Sequence, residues 1–387
     1  MGRLPGWFLL RRRAVMTPMR SAREVLADAQ RFYRRRVFES WVRDYLHGRY
    51  LAGAIQPAGI GYAPAGWTTT TDHLLTLGHS RDDLVRAGVA VEGERGLRDV
   101  MRDRLTFPVR DHTGELVGFL GRAHPDDARA PKYLNTPATK LYEKRSTLYG
   151  LGEGVADLAA GATPLIVEGP FDKLAVDKMA TRYGRPVVAL ASCGTALTRE
   201  HIARIRSVTS APVWFCFDAD AAGQRAMLHA WEITADQGRS GQRFVRLPGG
   251  HDPASVHPRT LDHTVGHSVP MSVAVAEAQV HLWGRPDTWV RAELMVQALA
   301  RRDAARISPE ESGQWITTVA RLTNLPVSSV QTTLIDHVAP TPTAEDMTLV
   351  RAASFPVEVT AAPATARVPH TRRRSSLHSM ETPLLSR

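Results

Sequence analysis

Four short apolar segments, separated by helical patterns, dominate the middle of the chain. They span residues 165–167, 186–191, 213–217 and 244–247. Short buried strands that alternate with helices form a parallel sheet covered by helices, because each crossover connection must pack on a face of the sheet. This alternation predicts an α/β domain and excludes an all-helical or all-β fold for this part of the chain.

Acidic residues follow three of these predicted strands. Glu168 and Asp172 come after the first strand, Asp218 and Asp220 after the third, and Asp252 lies in the turn after the fourth. The carboxyl ends of parallel strands meet at one edge of a sheet, where open α/β folds place their chemistry. Alone, an Asp-x-Asp pair is typical of a surface turn. The set of five predicts a functional site.

Several carboxylates held close together repel one another unless a cation lies between them. Oxygen ligands alone suit Mg²⁺ or Mn²⁺, and two such ions about 4 Å apart support phosphoryl transfer. The chain has no Gly-Lys pair and no Gly-x-Ser-x-Gly sequence, which argues against a P-loop and a nucleophile elbow. The residues therefore favour metal-dependent chemistry on a phosphate.

The positive charge is concentrated in the first part of the chain. The whole sequence has 387 residues, with 49 Lys and Arg against 39 Asp and Glu. Residues 1–150 hold 25 basic and 16 acidic residues, a balance of 25 − 16 = +9, which leaves +1 for the remainder. This predicts a polyanionic partner for the first part, although basic runs such as Arg34–Arg36 are also typical of solvated helix faces.

Only two cysteines, Cys193 and Cys216, are present. They cannot form a disulfide framework or a zinc ribbon, so no zinc is expected, and they are typical of a reducing cytoplasm. No apolar run reaches the 18–20 residues or so that a membrane span needs. We therefore predict a cytoplasmic protein with no membrane partner.

The first part of the chain has a helical pattern from Ser21 to about Leu46. It is followed further on by a predicted hairpin whose strands cover residues 105–110 and 116–120. Three motifs then occur in order: Phe107-Pro-Val-Arg110-Asp111, Pro131-Lys132-Tyr133-Leu134-Asn135, and Lys144-Arg145-Ser-Thr-Leu148-Tyr149-Gly150. This series closely resembles the catalytic core of bacterial DnaG-family primases, and the acidic order after it resembles a Toprim domain. The resemblance covers roughly residues 25–260 and extends weakly to 338.

The resemblance implies an enzyme that synthesises short RNA primers on single-stranded DNA from ribonucleoside triphosphates, with Mg²⁺ or Mn²⁺. It implies catalytic roles for Glu168, Asp218 and Asp220, and metal ligation by these three with Asp172 and Asp252. Nucleotide and template binding would fall to a set of basic and polar residues, namely Arg110, Arg122, Lys132, Tyr133, Asn135, Lys144 and Arg145. A replicative helicase or a separate zinc-ribbon protein is an expected partner.

The fold class expected overall is α/β, or α+β when the whole chain is considered. A parallel Toprim sheet flanked by helices is preceded by a basic mixed α/β subdomain and followed by a helical subdomain. The boundaries we predict are a disordered extension over 1–20, a basic primase-type subdomain over 21–160, a Toprim domain over 161–262, a helical subdomain over 263–338 and a disordered tail over 339–387.

This sequence departs from the family pattern in five respects, one of which is His251, a position where an acid is common. The zinc ribbon that usually begins such chains is missing from the sequence, and a helicase-binding domain is expected to be missing or reduced. Val100 stands where the family tends to have Arg, and Asp252-Pro253-Ala254 has one carboxylate fewer than the family's turn. Two alternatives follow, a catalytically weak DNA-binding accessory protein and a Toprim nuclease of a mobile element. A topoisomerase is disfavoured, because no second domain offers an obvious nucleophilic Tyr.

Overall fold

The computed structural model describes residues 21–338, apart from residues 193, 195 and 235–240. The extension predicted over 1–20 and the tail predicted over 339–387 lie outside the described residues, and so does Cys193. No helix in the described part of the chain is both long enough and apolar enough to cross a membrane.

The first part of the described chain is built from short helices around an antiparallel sheet. Its helices are α1 (Ala22–Arg36), α2 (Trp41–Gly48), α3 (Thr69–Thr76) and α4 (Arg81–Arg86), with 3₁₀ turns at Val37–Glu39 and Ala52–Ala54. Its strands are β1 (Gly61–Ala63), β2 (Ala90–Gly93), β3 (Gly96–Asp99), β4 (Arg104–Arg110), β5 (Leu116–Ala123) and β6 (Tyr133–Asn135). The sheet order is β1-β4-β5-β6, and β2 and β3 form a separate hairpin.

The helical pattern predicted from Ser21 to about Leu46 is confirmed, but as two helices, α1 and α2, with a break at Ser40. Ser21 begins α1 with a capping box, in which its side chain accepts from Glu24 N–H and the Glu24 carboxylate accepts from Ser21 N–H. Ser40 has an extended backbone, and its hydroxyl accepts from Val42 N–H at the start of α2. A second N-cap thus divides the pattern. The predicted hairpin is confirmed as β4 and β5, with a register shift between Val109 and Arg110.

The middle of the chain forms the predicted parallel sheet. Its strands are β7 (Thr163–Val167), β8 (Val187–Ala191), β9 (Trp214–Phe215), β10 (Arg243–Phe244) and β11 (Val269–Pro270), in the order β11-β10-β9-β7-β8. Its helices are α5 (Leu151–Ala159), α6 (Pro170–Tyr183), α7 (Arg199–Arg206), α8 (Ala221–Ile233) and α9 (Pro258–Gly266). Strands β7 to β10 are parallel, whereas β11 pairs antiparallel with β10, an edge that the sequence pattern did not predict.

Four helices follow the sheet, as the pattern predicts. They are α10 (Met271–Trp283), α11 (Trp289–Asp303), α12 (Pro309–Thr323) and α13 (Val327–Val338), with a 3₁₀ turn at Ala304–Arg306. Their apolar faces enclose Trp315, which is fully buried, together with Val296 and Leu299. This bundle contributes helix α10 to the core of the parallel sheet as well, through Met271 and Val275.

The antiparallel and parallel sheets share one hydrophobic core. Phe107 on β4 packs edge-on against Tyr149 at 5.6 Å and against Phe171 on α6 at 5.4 Å between ring centroids. Tyr149 and Ala191 exchange two backbone hydrogen bonds of 3.0 and 2.9 Å, which extends the parallel sheet beyond β8. The basic first part and the carboxyl edge of the parallel sheet are therefore held in one fixed relation.

Candidate active site

The two central strands of the parallel sheet bring two of the predicted acids together. Because β7 and β9 are neighbours, the residues that follow them, Glu168 and Asp218, leave the sheet side by side. Glu168 Oε1 accepts a hydrogen bond of 3.1 Å from Asp218 N–H. Burial raises the pKa of Glu168, and the charges of Asp220 and Asp252 raise it further.

Asp172 lies one helical turn further along, at the start of α6. Pro170 is the first residue of this helix. Asp172 Oδ2 accepts from Gly169 N–H at 2.9 Å, so the carboxylate caps the N-terminus of the helix. The side chain is only 8% exposed. Burial, followed by the charges of Asp252 and Asp218, raises the pKa of Asp172 to about 8. In the metal-free protein this group is held partly protonated near neutral pH.

Asp218 and Asp220 occupy the turn between β9 and α8. Asp220 is the N-cap of α8, where its Oδ1 accepts from the N–H groups of Ala222 and Gly223 at 2.8 Å each. A Cβ at position 223 would lie 2.0 Å from the carbonyl oxygen of Asp218, so the turn requires glycine there. Burial is the main cause that raises the pKa of Asp218 to about 6, and the negative charges of Glu168, Asp252 and Asp220 add to the shift.

Asp252 reaches the same place from the turn after β10. Ala219 N–H donates to the carbonyl of His251 at 2.8 Å, and Gly250 N–H donates to the carbonyl of Ala219 at 3.0 Å. These two bonds fasten the turn to the Asp218–Asp220 segment. The charge of Asp252 contributes to the raised pKa values of Glu168, Asp172 and Asp218, which places all of these carboxylates within one electrostatic cluster.

Two carboxylate oxygens in this cluster lack any partner. Oδ1 of Asp218 and Oδ1 of Asp252 are buried and accept no hydrogen bond, an arrangement that costs free energy unless a cation or donor approaches. Within the described ranges, no group of three or more His, Cys, Asp or Glu side chains is arranged so as to hold a metal ion. The donor chemistry fits a hard divalent cation, although this conformation shows no complete ligand set.

A cavity of about 260 Å³ joins the acids to basic and aromatic side chains, and we call it the acidic cleft. Its lining side chains and glycines include Glu168, Asp172, Asp218, Asp252, Arg122, Lys132, Tyr133, Tyr45, Arg49, Phe171 and Gly194. The guanidinium of Arg122 lies 5.6 Å and the ammonium of Lys132 lies 5.8 Å from the centre of the Tyr133 ring. The charge of Lys132 opposes the upward shift of the pKa of both Glu168 and Asp218.

Asp220 and Lys144 lie beside this cleft. Asp220 is exposed and lines an adjoining cavity that also includes Asp218. Lys144 Nζ donates to the carbonyl of Gly194, which lies on the cleft wall, at 3.2 Å. Both residues are therefore near enough to influence a ligand in the cleft without lining it.

Three predicted residues are not brought into the acidic cleft. Arg110 donates to the carbonyl of Gly114 at 3.1 Å and lines a different cavity. Asn135 Oδ1 accepts from the Tyr142 hydroxyl at 2.8 Å, a contact that positions the backbone of this segment. Arg145 is exposed. Their assignment to nucleotide and template binding stays a prediction.

Tyr45, Arg49 and Phe171 line the cleft but were missed in the sequence. The Arg49 guanidinium lies 5.1 Å from the ring centre of Tyr45 and 5.1 Å from that of Phe171, and these contacts hold an exposed cation on the cleft wall. Cation–π contacts of this kind depend on tertiary structure. No local pattern near the end of α2 signals them.

Comparison with known families matches the two parts of this architecture separately. Residues 32–154 match the N-terminal domain of the DNA primase catalytic core, and residues 165–257 match a Toprim-like family. The fold and the acidic edge of its sheet thus define a Toprim protein. The chain belongs more particularly to the DnaG primase family, whose catalytic core it contains.

Similar proteins and structures agree with this assignment. A DNA primase of Streptomyces coelicolor is 38% identical over 221 residues, which cover 56% of this chain and 33% of that protein. A DNA primase of Pseudomonas putida is 38% identical over 241 residues, which cover 60% of this chain and 35% of that protein. The chain therefore spans about a third of the length of these curated relatives.

Solved structures extend the likeness over most of the fold. The RNA polymerase domain of the Mycobacterium tuberculosis primase DnaG is 29% identical, with a TM-score of 0.66, over 78% of this chain and 98% of that chain. A DnaG primase catalytic domain bound to single-stranded DNA is 28% identical, with a TM-score of 0.62, over 79% of this chain and 97% of that chain.

Proposed function

We propose that this protein is a DNA-directed RNA polymerase of the primase type, which joins ribonucleotides on a single-stranded DNA template. One observation carries the proposal. Carboxylates from three strand ends line a single cavity together with Arg122 and Lys132. Phosphoryl transfer needs positioning and charge neutralisation more than covalent chemistry, and a cleft that combines acids with fixed cations can supply both.

The acids of the cleft are suited to hold Mg²⁺ or Mn²⁺. We assign this role to the cleft acids Glu168, Asp172, Asp218 and Asp252 and to the adjacent Asp220, because the buried, unpartnered oxygens of Asp218 and Asp252 fit a divalent cation. When bound, the metal would neutralise charge on the reacting phosphate and on the attacking and leaving oxygens.

Glu168 is the residue best suited to accept a proton in this reaction. In primer extension a 3′-hydroxyl oxygen bonds to the α-phosphorus, the bond to pyrophosphate breaks, and the hydroxyl proton must leave. The pKa of Glu168 is raised by its half-buried position, which makes its carboxylate a stronger base than an exposed glutamate. Because Glu168 Oε1 accepts a hydrogen bond from Asp218 N–H, the direction of the other carboxylate oxygen, Oε2, is fixed.

The cations of the cleft are suited to bind phosphates. Arg122 and Lys132 flank the Tyr133 ring, and Arg122 Nε is buried without a hydrogen-bond partner. Arg49 adds a third cation from α2. We propose that these three residues hold the triphosphate of the incoming nucleotide and the adjacent template phosphates, with Lys144 at the rim.

The remaining parts of the proposal concern partners and location. Template binding by the basic first part should be sensitive to salt, because it releases counterions. We propose that a separate zinc-ribbon protein or a replicative helicase directs the enzyme to its start sites. Priming of bacterial DNA takes place in the cytoplasm, and we propose that location.

Primer synthesis is the direct test. The full chain is incubated with single-stranded DNA, labelled ribonucleotides and Mg²⁺, and short RNA products are resolved on a gel. We expect product from the wild type and from Asp157→Asn, an exposed carboxylate on α5, and at least a hundredfold less from Asp218→Asn. Salt-sensitive DNA binding with no RNA product, or nicking of DNA without nucleotides, would reject the primase proposal.

A further inference from the structure

A second cavity, which we call the Lys140 cavity, lies outside the acidic cleft and has a volume of about 410 Å³. It is enclosed by the end of β4 and its turn, by the segment 138–148, and by helices α5 and α7. The lining residues with charged or hydroxyl side chains are Arg110, His112, Thr139, Lys140, Tyr142, Glu143, Ser146, Thr147 and Arg204. None of the residues around this cavity lines the acidic cleft.

The charge of the Lys140 cavity is strongly one-sided. Arg110, Lys140 and Arg204 are cations, and Glu143 is the one carboxylate among the lining residues. Within the described part of the chain, Lys140 and Arg204 have no ion-pair or hydrogen-bond partner for their side-chain nitrogens. Cations from separate segments that outnumber the carboxylates around them are favoured only when an anion or solvent compensates the excess charge.

Two of the lining groups are already fixed in place. Arg110 donates to the carbonyl of Gly114 at 3.1 Å, and its Nε lies 3.7 Å from Glu153 Oε1, so the guanidinium is oriented before any ligand arrives. Thr139 Oγ1 accepts from the N–H groups of Leu141 and Tyr142 at 3.1 and 3.0 Å, which leaves its proton available for a ligand. Oriented donors of this kind lower the entropic cost of binding.

The rest of the lining is apolar. Ala138, Leu141, Leu148 and Leu151 contribute wall, and Leu148 and Leu151 are buried. A volume of this size matches the small-molecule range, in which a few polar groups fix the orientation of a ligand on an apolar surface. Several cations beside an apolar wall fit a nucleotide better than a bare inorganic ion.

We infer that the Lys140 cavity is a second ligand site, which binds a small nucleoside polyphosphate through Lys140, Arg204 and Arg110. The segment that forms it continues to the acidic cleft. Tyr142 of the cavity donates to Asn135 on β6 at 2.8 Å, and the same strand begins with Tyr133 of the cleft. A ligand held here therefore contacts the antiparallel sheet, the 138–148 segment and α7 at once.

Calorimetric titration of the full chain with ATP, in EDTA, tests this site separately from the acidic cleft. Without divalent ions the carboxylates of the cleft repel a triphosphate. We expect one ATP per chain, and a weakening of roughly tenfold for each charge-assisted contact removed in Lys140→Ala and Arg204→Ala. The paired variant Lys140→Arg with Arg204→Lys keeps both charges and should keep binding, which excludes a loss due to misfolding.

Matched variants distinguish this site from the proposed catalytic one. Arg122→Ala with Lys132→Ala, and the exposed Arg259→Ala, should leave ATP binding in EDTA unchanged. Lys140→Ala should leave primer synthesis without added effector within about twofold, since the residue is outside the cleft. The inference is overturned if ATP does not bind, if binding survives the loss of both Lys140 and Arg204, or if single-stranded DNA displaces ATP and loses affinity in that double variant.

Discussion

Replacement of Asp172 with asparagine is expected to stabilise the metal-free protein at neutral pH. Burial and the neighbouring charges of Asp252 and Asp218 raise the pKa of Asp172 from 3.8 to about 8. The side chain is 8% exposed, so solvent screens it little. Asparagine has nearly the same volume, and its carbonyl oxygen can still accept from Gly169 N–H, as the carboxylate does at 2.9 Å.

The magnitude follows from the linkage between proton binding and folding. The folded protein holds this proton more tightly than the unfolded chain, so the free energy of unfolding falls as the pH rises from about 4 to about 8. Each pH unit in that window removes about 1.4 kcal/mol, which amounts to about 4 kcal/mol at pH 7. Because buried asparagine keeps part of the desolvation cost, we expect a net gain of about 2–4 kcal/mol for the variant.

Urea unfolding in EDTA across roughly pH 5 to pH 8 measures this difference. The advantage of Asp172→Asn should widen by up to about 1.4 kcal/mol per pH unit and then become constant above about pH 8. Asp218, whose pKa is raised to about 6, titrates in both proteins. Its contribution therefore largely cancels in the difference in free energy of unfolding between wild type and variant. Asp157→Asn serves as the exposed control. A constant difference between wild type and variant over this range would refute the argument.

Three further changes test the cleft and the first part of the fold. Arg49→Ala should raise the KM for ribonucleotides by roughly tenfold in primer synthesis, since it removes one cation from the phosphate wall, whereas an unchanged KM would exclude contact with the substrate. Arg122→Ala with Lys132→Ala should lower the salt slope of single-stranded DNA binding by about 1.4, at about 0.7 for each lost contact, and Arg259→Ala should keep the slope. Ser80→Ala removes the capping box of α4 and should lower the free energy of unfolding by about 1 kcal/mol. Ser80→Asp should retain stability, because aspartate can also cap a helix. Equal denaturation midpoints for the wild type and Ser80→Ala would contradict this role of Ser80.

Periodic patterns predicted the parallel sheet because buried strands and amphipathic helices leave local signals. The strands after which Glu168 and Asp218 stand were found in this way, and the order of the parallel sheet explains why these acids meet. The break at Ser40 was missed because an N-cap serine inside a helical pattern resembles any polar position. The antiparallel edge formed by Val269–Pro270 is too short to produce a pattern.

The basic side of the site could be predicted only in part. Lys132 and Tyr133 belong to a distinctive sequence motif, and they do line the cleft. Arg110 belongs to another such motif, yet the shift in register after Val109 accompanies a contact with Gly114 instead. Arg49 has no motif of this kind in its surroundings, because two aromatic rings from different parts of the fold hold it in place.

The contacts of Phe107 and Tyr149 have a consequence for how this protein can be divided. A cut near residue 160 follows the boundary suggested by sequence, but it would separate Phe107 from Phe171 and Tyr149 from its two bonds to Ala191. Each fragment would expose to water the apolar surface that the other fragment covers in the intact protein. We expect the halves to be insoluble when expressed alone and to recover a native structure only when co-expressed. The boundary that is visible in the sequence therefore does not divide the protein into parts that fold independently, because the two parts form one cooperative unit.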